Sequence, residues 1–146
     1  MTIRKIPILM LALVLLCTMS ISASGADVPG KQIKANDVIV PYWTNTESIK
    51  LDLNFSGKRA DCSALVIGKM GTSKITATVK LQRKNSNGTY TTVKTWSNLQ
   101  TNGTVFSFSQ SYNVTRSYTY RLVINATVYK DGSSENVSQQ VEKHCS

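Results

Sequence analysis

The residues of this chain best suited to carry chemistry are one histidine, three cysteines and eight carboxylates. His144 and Cys145 are adjacent, but neighbouring side chains on a strand point to opposite sides, so they do not predict a catalytic dyad. Zinc needs three or four ligands at set spacings, which one histidine and two distant cysteines do not supply. The carboxylates are isolated, and no phosphate loop or nucleophile motif occurs. The sequence therefore predicts no catalytic residue, no metal site and no cofactor site.

The cysteines instead suggest a structural role. Cys62 and Cys145 are the two that would remain after removal of the N-terminal segment. An even number of cysteines in an exported chain favours a disulfide, which for so long a loop would add at most about 4–5 kcal/mol of stability. The sequence leaves one alternative open, which is a pair of free thiols.

The N-terminal segment has the pattern of a secretory signal peptide. Arg4 and Lys5 precede an apolar run over residues 6–17, and small residues follow as far as Ala26. This pattern predicts cleavage after Ala26, and the run is shorter than the roughly 20 residues that a transmembrane helix needs. A lipid anchor on Cys17 is the less favoured alternative. We therefore expect a signal peptide over residues 1–26, a flexible leader over 27–36 and one secreted domain over 37–146.

Charge limits the partners. Loss of residues 1–26 lowers the net charge from +9 to +7, so anionic wall polymers or glycans are the partners that charge favours. The basic residues are scattered along the chain, however, which also fits an ordinary solvated surface. No helix, recognition motif or dense basic run suggests nucleic acid. The candidate surface aromatics that could stack on sugars are Tyr42, Trp43, Tyr90 and Trp96, although core packing is the commoner use of aromatic residues.

The strand pattern is clearest at residues 118–130, where Tyr120, Leu122, Ile124, Ala126 and Val128 alternate with mostly polar residues. Period-two alternation predicts a strand with one buried face. Similar runs suggest about seven or eight antiparallel strands, including a short edge strand at 38–40, and an asparagine-rich turn at 85–88. Such spacing predicts an all-β sandwich of the immunoglobulin or fibronectin kind.

Two details of this sandwich remain open in the sequence. Val93 and Trp96 cannot both point inward on a regular strand, so the pattern requires either a bulge or the exposure of one of them. Tyr120 follows an apolar residue, Val114, by six positions and is the candidate for a tyrosine corner. We also expect a loop over residues 98–103.

Short motifs distributed over most of the domain add a resemblance. They lie at residues 41–43 (Pro-Tyr-Trp), 60–62 (Ala-Asp-Cys), 66–68 (Val-Ile-Gly), 81–84 (Leu-Gln-Arg-Lys), 93–96 (Val-Lys-Thr-Trp), 118–122 (Tyr-Thr-Tyr-Arg-Leu) and 132–135 (Gly-Ser-Ser-Glu). The chain resembles an uncharacterised family of short exported proteins from clostridia-like Gram-positive bacteria. The resemblance implies export and an immunoglobulin-like fold, and it carries no functional residues.

Taken together, these features predict a secreted, non-enzymatic interaction module. The expected ligand is an anionic cell-surface polymer or glycan. The alternative is a toxin-like or antimicrobial protein, against which the absence of a basic amphipathic helix in the pattern argues.

Overall fold

A computed structural model describes residues 42–146, which form seven antiparallel strands and no helix. The strands are β1 (Thr46–Ser56), β2 (Arg59–Gly68), β3 (Thr72–Lys84), β4 (Tyr90–Asn102), β5 (Val105–Asn113), β6 (Tyr118–Lys130) and β7 (Ser133–Cys145). One sheet has the order β1-β2-β5 and the other β4-β3-β6-β7. The predicted all-β sandwich is confirmed. The predicted signal peptide, leader and edge strand at 38–40 lie outside the described residues.

Strand β6 is the centre of the four-stranded sheet, because β3 and β7 flank it over nearly its whole length. Its alternating apolar residues are buried as the sequence predicts, and Leu122, Ile124 and Val128 are fully inaccessible to solvent. They belong to a core that is formed by the inner faces of both sheets. The buried residues that meet them include Leu53, Cys62, Ala64, Val66, Ile75, Val79, Leu81, Phe106 and Phe108.

Strand β4 differs from the prediction. It continues to Asn102, whereas the sequence pattern suggested a strand ending at Ser97 and a loop over 98–103. The pairing of β4 with β3 shifts register at two places, and Asn98 lies in one of them with a φ of +56°. Asparagine tolerates this left-handed conformation, so the strand kinks and resumes instead of ending.

The second register shift explains the conflict between Val93 and Trp96. Val93 falls between the pairs Leu81–Lys94 and Gln82–Thr92 and has no partner of its own on β3. Trp96 pairs with Val79, and both Val93 and Trp96 are partly buried against the core. The bulge therefore turns both side chains toward the interior.

Because every strand is antiparallel to the next, alternate connections lie at the same end of the sandwich. The hairpin end consists of residues 57–58, 85–89, 114–117 and the C-terminal residue, with the four adjoining residues of each strand. Backbone hydrogen bonds from Val114 to Lys58 (2.7 Å) and from Ser117 to Cys145 (2.7 Å) join its parts. The opposite end contains residues 42–45, 69–71, 103–104 and 131–132, again with four residues of each adjoining strand.

Candidate functional site

Positive charge is concentrated at the hairpin end. This end carries seven basic and two acidic side chains, whereas the opposite end carries three of each. The basic residues of the hairpin end are Lys58, Arg59, Arg83, Lys84, Arg116, Arg121 and Lys143. The fold thus turns a scattered set of basic residues into a one-sided distribution of charge.

The two carboxylates of the hairpin end neutralise only part of this charge. Asp61 pairs with Arg59 at 3.0 Å, and Glu142 pairs with Lys84 at 3.1 Å. Both pairs are largely exposed, and exposed pairs contribute little to stability. The other basic residues of this end form no ion pair with an Asp or Glu side chain within residues 42–146.

Arg83 is a basic residue of the hairpin end with an unsatisfied hydrogen-bond donor. Its guanidinium carbon lies 4.7 Å from the centre of the Tyr118 ring. Its Nε is buried, and within the described part of the chain it has no hydrogen-bond partner. A buried donor without a partner costs about 1–3 kcal/mol, so the domain holds the Arg83 side chain in this position at a cost in stability.

Part of the hairpin end is a polar network on the outer face of the four-stranded sheet. The Arg121 guanidinium lies 3.6 Å from the centre of the Tyr90 ring and donates from Nε and Nη2 to Gln82 Oε1 at 3.0 and 2.7 Å. The Tyr90 hydroxyl donates to Glu142. The hydrogen bonds from Tyr90 and Lys84 hold the pKa of Glu142 below its usual value. All four strands contribute to this network, which fixes the orientation of the charged groups.

A shallow depression of about 380 Å³ also lies at the hairpin end. Arg59, Ser111, Tyr112 and Asn113 line it. It therefore combines a guanidinium with hydroxyl and amide groups, which are groups that bind phosphate or carboxylate oxygens.

The four candidate surface aromatics do not share one surface. Tyr42 is 96% exposed beside Lys69, and Trp43 packs partly against the core. Tyr90 lies on the outer face of the four-stranded sheet under Arg121. Trp96 points inward and meets Phe108 edge-on at 5.2 Å between ring centres. These aromatic rings consequently do not combine into a sugar-stacking platform.

The two predicted disulfide cysteines are free thiols in the structure, and both are buried. The expected bridge is therefore absent there. Cys145 Sγ is directed toward the carbonyl oxygen of Gly57 at 3.5 Å, while Cys62 pairs within its sheet with Leu53 and Gln110. Burial, with a smaller effect from the adjacent Asp61 carboxylate, raises the pKa of the Cys62 thiol to about 12. Such a thiol is unreactive at neutral pH.

Tyr120 has the geometry of a tyrosine corner. Its ring is buried at the start of β6. Its hydroxyl donates to the carbonyl oxygen of Thr115 at 2.9 Å and accepts from the Thr115 N–H at 3.0 Å. Both bonds hold the 114–117 connection against the domain, and this connection carries Arg116. The corner thus positions part of the basic surface.

The sequence analysis did not predict the excess of basic residues at the hairpin end, although the sequence contains a pattern that indicates it. Charge counted along the chain is dispersed. However, the two adjacent basic pairs of the domain, at 58–59 and 83–84, lie in or directly beside the first and third connections between strands. Antiparallel order places odd-numbered connections at one end, so this pattern would have located the hairpin end.

Within residues 42–146, His144 and Cys145 lie on opposite sides of β7 and do not form a dyad. His144 is exposed, and its Nδ1 contacts the Thr119 hydroxyl at 3.2 Å, while Cys145 is buried on the other side of β7. No group of three metal-binding side chains is found within residues 42–146. In the same part of the chain, no helix has the length and hydrophobicity to cross a membrane.

Comparisons with known proteins give a distant structural likeness. No protein-family model matches the chain, and no curated protein sequence matches it. Among solved structures, the sporulation control protein Spo0M of Bacillus subtilis is similar, with 12% sequence identity and a TM-score of 0.45. The match covers 68% of this chain and 49% of Spo0M, so the chain spans about half the length of that protein.

Proposed function

We propose that this protein is an exported, non-enzymatic β-sandwich that binds an anionic cell-surface polymer or glycan through its hairpin end. The observation that carries the proposal is the seven-to-two excess of basic over acidic side chains at that end. The opposite end is balanced, so a polyanion has a preferred side from which to approach.

The state of the individual basic groups supports this proposal. Arg83 forms no ion pair with an Asp or Glu side chain among the described residues, and Arg59 lines a depression at the same end. Tyr120 and Glu142 hold the Arg116 connection and the Lys84 side chain in place. Basic groups fixed in advance lose less conformational freedom when a ligand binds.

The test is retention of purified protein on washed cell walls at low and high salt. A variant in which Lys58, Arg83 and Arg116 are changed to glutamine should bind about tenfold more weakly at low salt. Its control replaces Lys50, Lys80 and Lys130 by glutamine, which removes the same charge from positions outside the hairpin end. High salt should release the wild-type protein, since at 1 M salt the screening length is only about 3 Å.

Equal loss in both triple variants would show that net charge acts without a site. Retention that does not depend on salt would overturn the electrostatic proposal. The membrane-acting alternative predicts something different, which is dye release from anionic lipid vesicles at the protein concentrations that bind cell walls.

Export is proposed from residues 1–26, which lie outside the described part of the chain. Intact-mass spectrometry of protein secreted by its native host is the test. We expect a chain that begins at Asp27. A mass that retains residues 1–26, or a lipid on Cys17, would contradict the proposed processing.

A further inference from the structure

Uncharged polar side chains occupy the outer face of the four-stranded sheet between its middle and the opposite end. One row crosses all four strands in register and consists of Gln100, Thr76, Thr127 and Asn136. A second row lies beside it, and together we call the two rows the amide–hydroxyl face. Neighbouring strands are about 4.8 Å apart, so each row extends roughly 14 Å across the sheet.

The second row completes the lining of a depression in this face. It contains Thr78, Asn125 and Ser138, and β4 contributes Asn98 at the bulge. The left-handed φ of Asn98 (+56°) coincides with the kink of β4. The two rows line an open depression of about 580 Å³. The face is therefore a shallow trough across the strands.

Most hydrogen-bonding groups of the trough are not used within the domain. The Thr127 hydroxyl donates to Asn136 Oδ1 at 2.7 Å. Among the described residues, the side chains of Thr76, Gln100 and Asn125 make no hydrogen bond, and the same holds for Thr78, Asn98 and Ser138. Side-chain amides and hydroxyls both donate and accept, which matches the hydroxyl groups of a sugar.

The local sequence explains why these groups converge. The segments Asn125-Ala-Thr127 and Asn136-Val-Ser138 each place an amide and a hydroxyl two residues apart, hence on the same side of a strand. Antiparallel register then sets Asn125 opposite Ser138 and Thr127 opposite Asn136. Each amide is thus next to a hydroxyl of the neighbouring strand.

We propose that the amide–hydroxyl face binds the hydroxyl groups of a neutral glycan chain. The absence of charged side chains from both rows favours an uncharged ligand over the polyanion expected at the hairpin end. A row containing Lys80, Val123 and Gln140 lies between this face and the network around Arg121. The two sites are therefore spatially distinct, and neither depends on the other.

Native affinity electrophoresis in gels containing a β-glucan, a galactomannan or soluble starch tests this proposal. At least one polysaccharide should retard the wild-type protein. Gln100→Ala combined with Asn125→Ala should weaken that retardation about tenfold or more. The control, Ser107→Ala with Ser109→Ala, changes exposed residues on the outer face of the other sheet and should behave as wild type.

The outcomes separate this site from the hairpin end. Retardation should persist at high salt and in the triple glutamine variant of Lys58, Arg83 and Arg116. NMR amide shifts on addition of the retarding polysaccharide's oligosaccharides should centre on Thr76, Thr78 and Asn125. No retardation by any of the three polysaccharides, equal loss in the control variant, or shifts centred elsewhere would overturn the proposal.

Discussion

Glu135 Oε2 accepts hydrogen bonds from both the backbone N–H and the hydroxyl of Thr46, each at 2.9 Å. The same carboxylate also accepts the N–H groups of Thr44 (2.6 Å) and Asn45 (2.9 Å). Glu135 therefore holds the residues that lead into β1 against the beginning of β7. Burial alone would raise the pKa of Glu135, but these hydrogen bonds together hold it below its usual value.

Glu135→Gln should therefore destabilise the domain by roughly 1–3 kcal/mol at pH 7, because the charged acceptor is lost. A lowered pKa in the folded state means that this stability is present above the ordinary glutamate range and is lost as the pH falls through the folded value. Urea unfolding at pH 7 and pH 3 measures both effects. In the variant, the loss of stability on acidification should be smaller than in the wild type.

The matched control for this experiment is Glu47→Gln. Glu47 is an exposed carboxylate at the same end, and it forms no ion pair within residues 42–146. Its replacement should change stability by no more than about 0.5 kcal/mol. Similar losses in the two variants would show that Glu135 acts through charge alone and not through its hydrogen bonds.

Cys62 should make the stability of the domain depend on pH a second time, in the alkaline range. The thiol pKa rises from 9.0 to about 12 on folding, so the thiol should react with iodoacetamide at pH 8 far more slowly in the folded than in the unfolded protein. The stabilising effect of the raised pKa is complete below about pH 9 and is lost as the pH rises toward 12. Peptide mass spectrometry after timed alkylation measures the reaction at this site.

A Cys62→Ala variant serves as the reference, because it should lack this part of the alkaline loss of stability. Mapping without reductant supplies the decisive comparison with the sequence prediction. A peptide linking Cys62 to Cys145 in natively secreted protein would contradict the free thiols of the structure.

Truncation of two neighbouring residues on β6 should lower the stability of the domain by different amounts. Leu122→Ala should cost roughly 2–5 kcal/mol, because the side chain is fully buried between the sheets. From the sequence alone, Arg121→Ala would be nearly neutral. Its stacking on Tyr90 and its two bonds to Gln82 raise the expected cost to about 1–2 kcal/mol. Chemical denaturation of both variants, with Val123→Ala as an outward-facing control, measures the difference.

How far the sequence predicts this structure depends on whether a feature is local. The alternation from Tyr120 to Val128 determines β6 because each side chain's environment follows from strand parity. The course of β4 cannot be predicted in the same way, because Asn98 is as compatible with a loop as with a kinked strand. Only the pairing of β4 with β3 decides between the two. The hairpin end depends on which connections are neighbours in space. The partners of Arg121 and Glu135 depend on contacts across strands distant in sequence, which composition does not specify.

Arg83 provides the sharpest test of the proposed site, because its effects on stability and binding should differ. Arg83→Met keeps an apolar side chain against Tyr118 but removes the guanidinium and its unpartnered buried Nε. Loss of the cation–π contact should cost about 0.5–1 kcal/mol, and relief of the unpaired donor should offset it, so stability should change by no more than about 1 kcal/mol. Binding to cell walls should nevertheless fall several-fold. Lys80→Met, which removes the same charge away from the hairpin end, should leave binding unchanged. A large loss of stability in Arg83→Met, with unaltered binding, would make Arg83 a structural residue and remove it from the site.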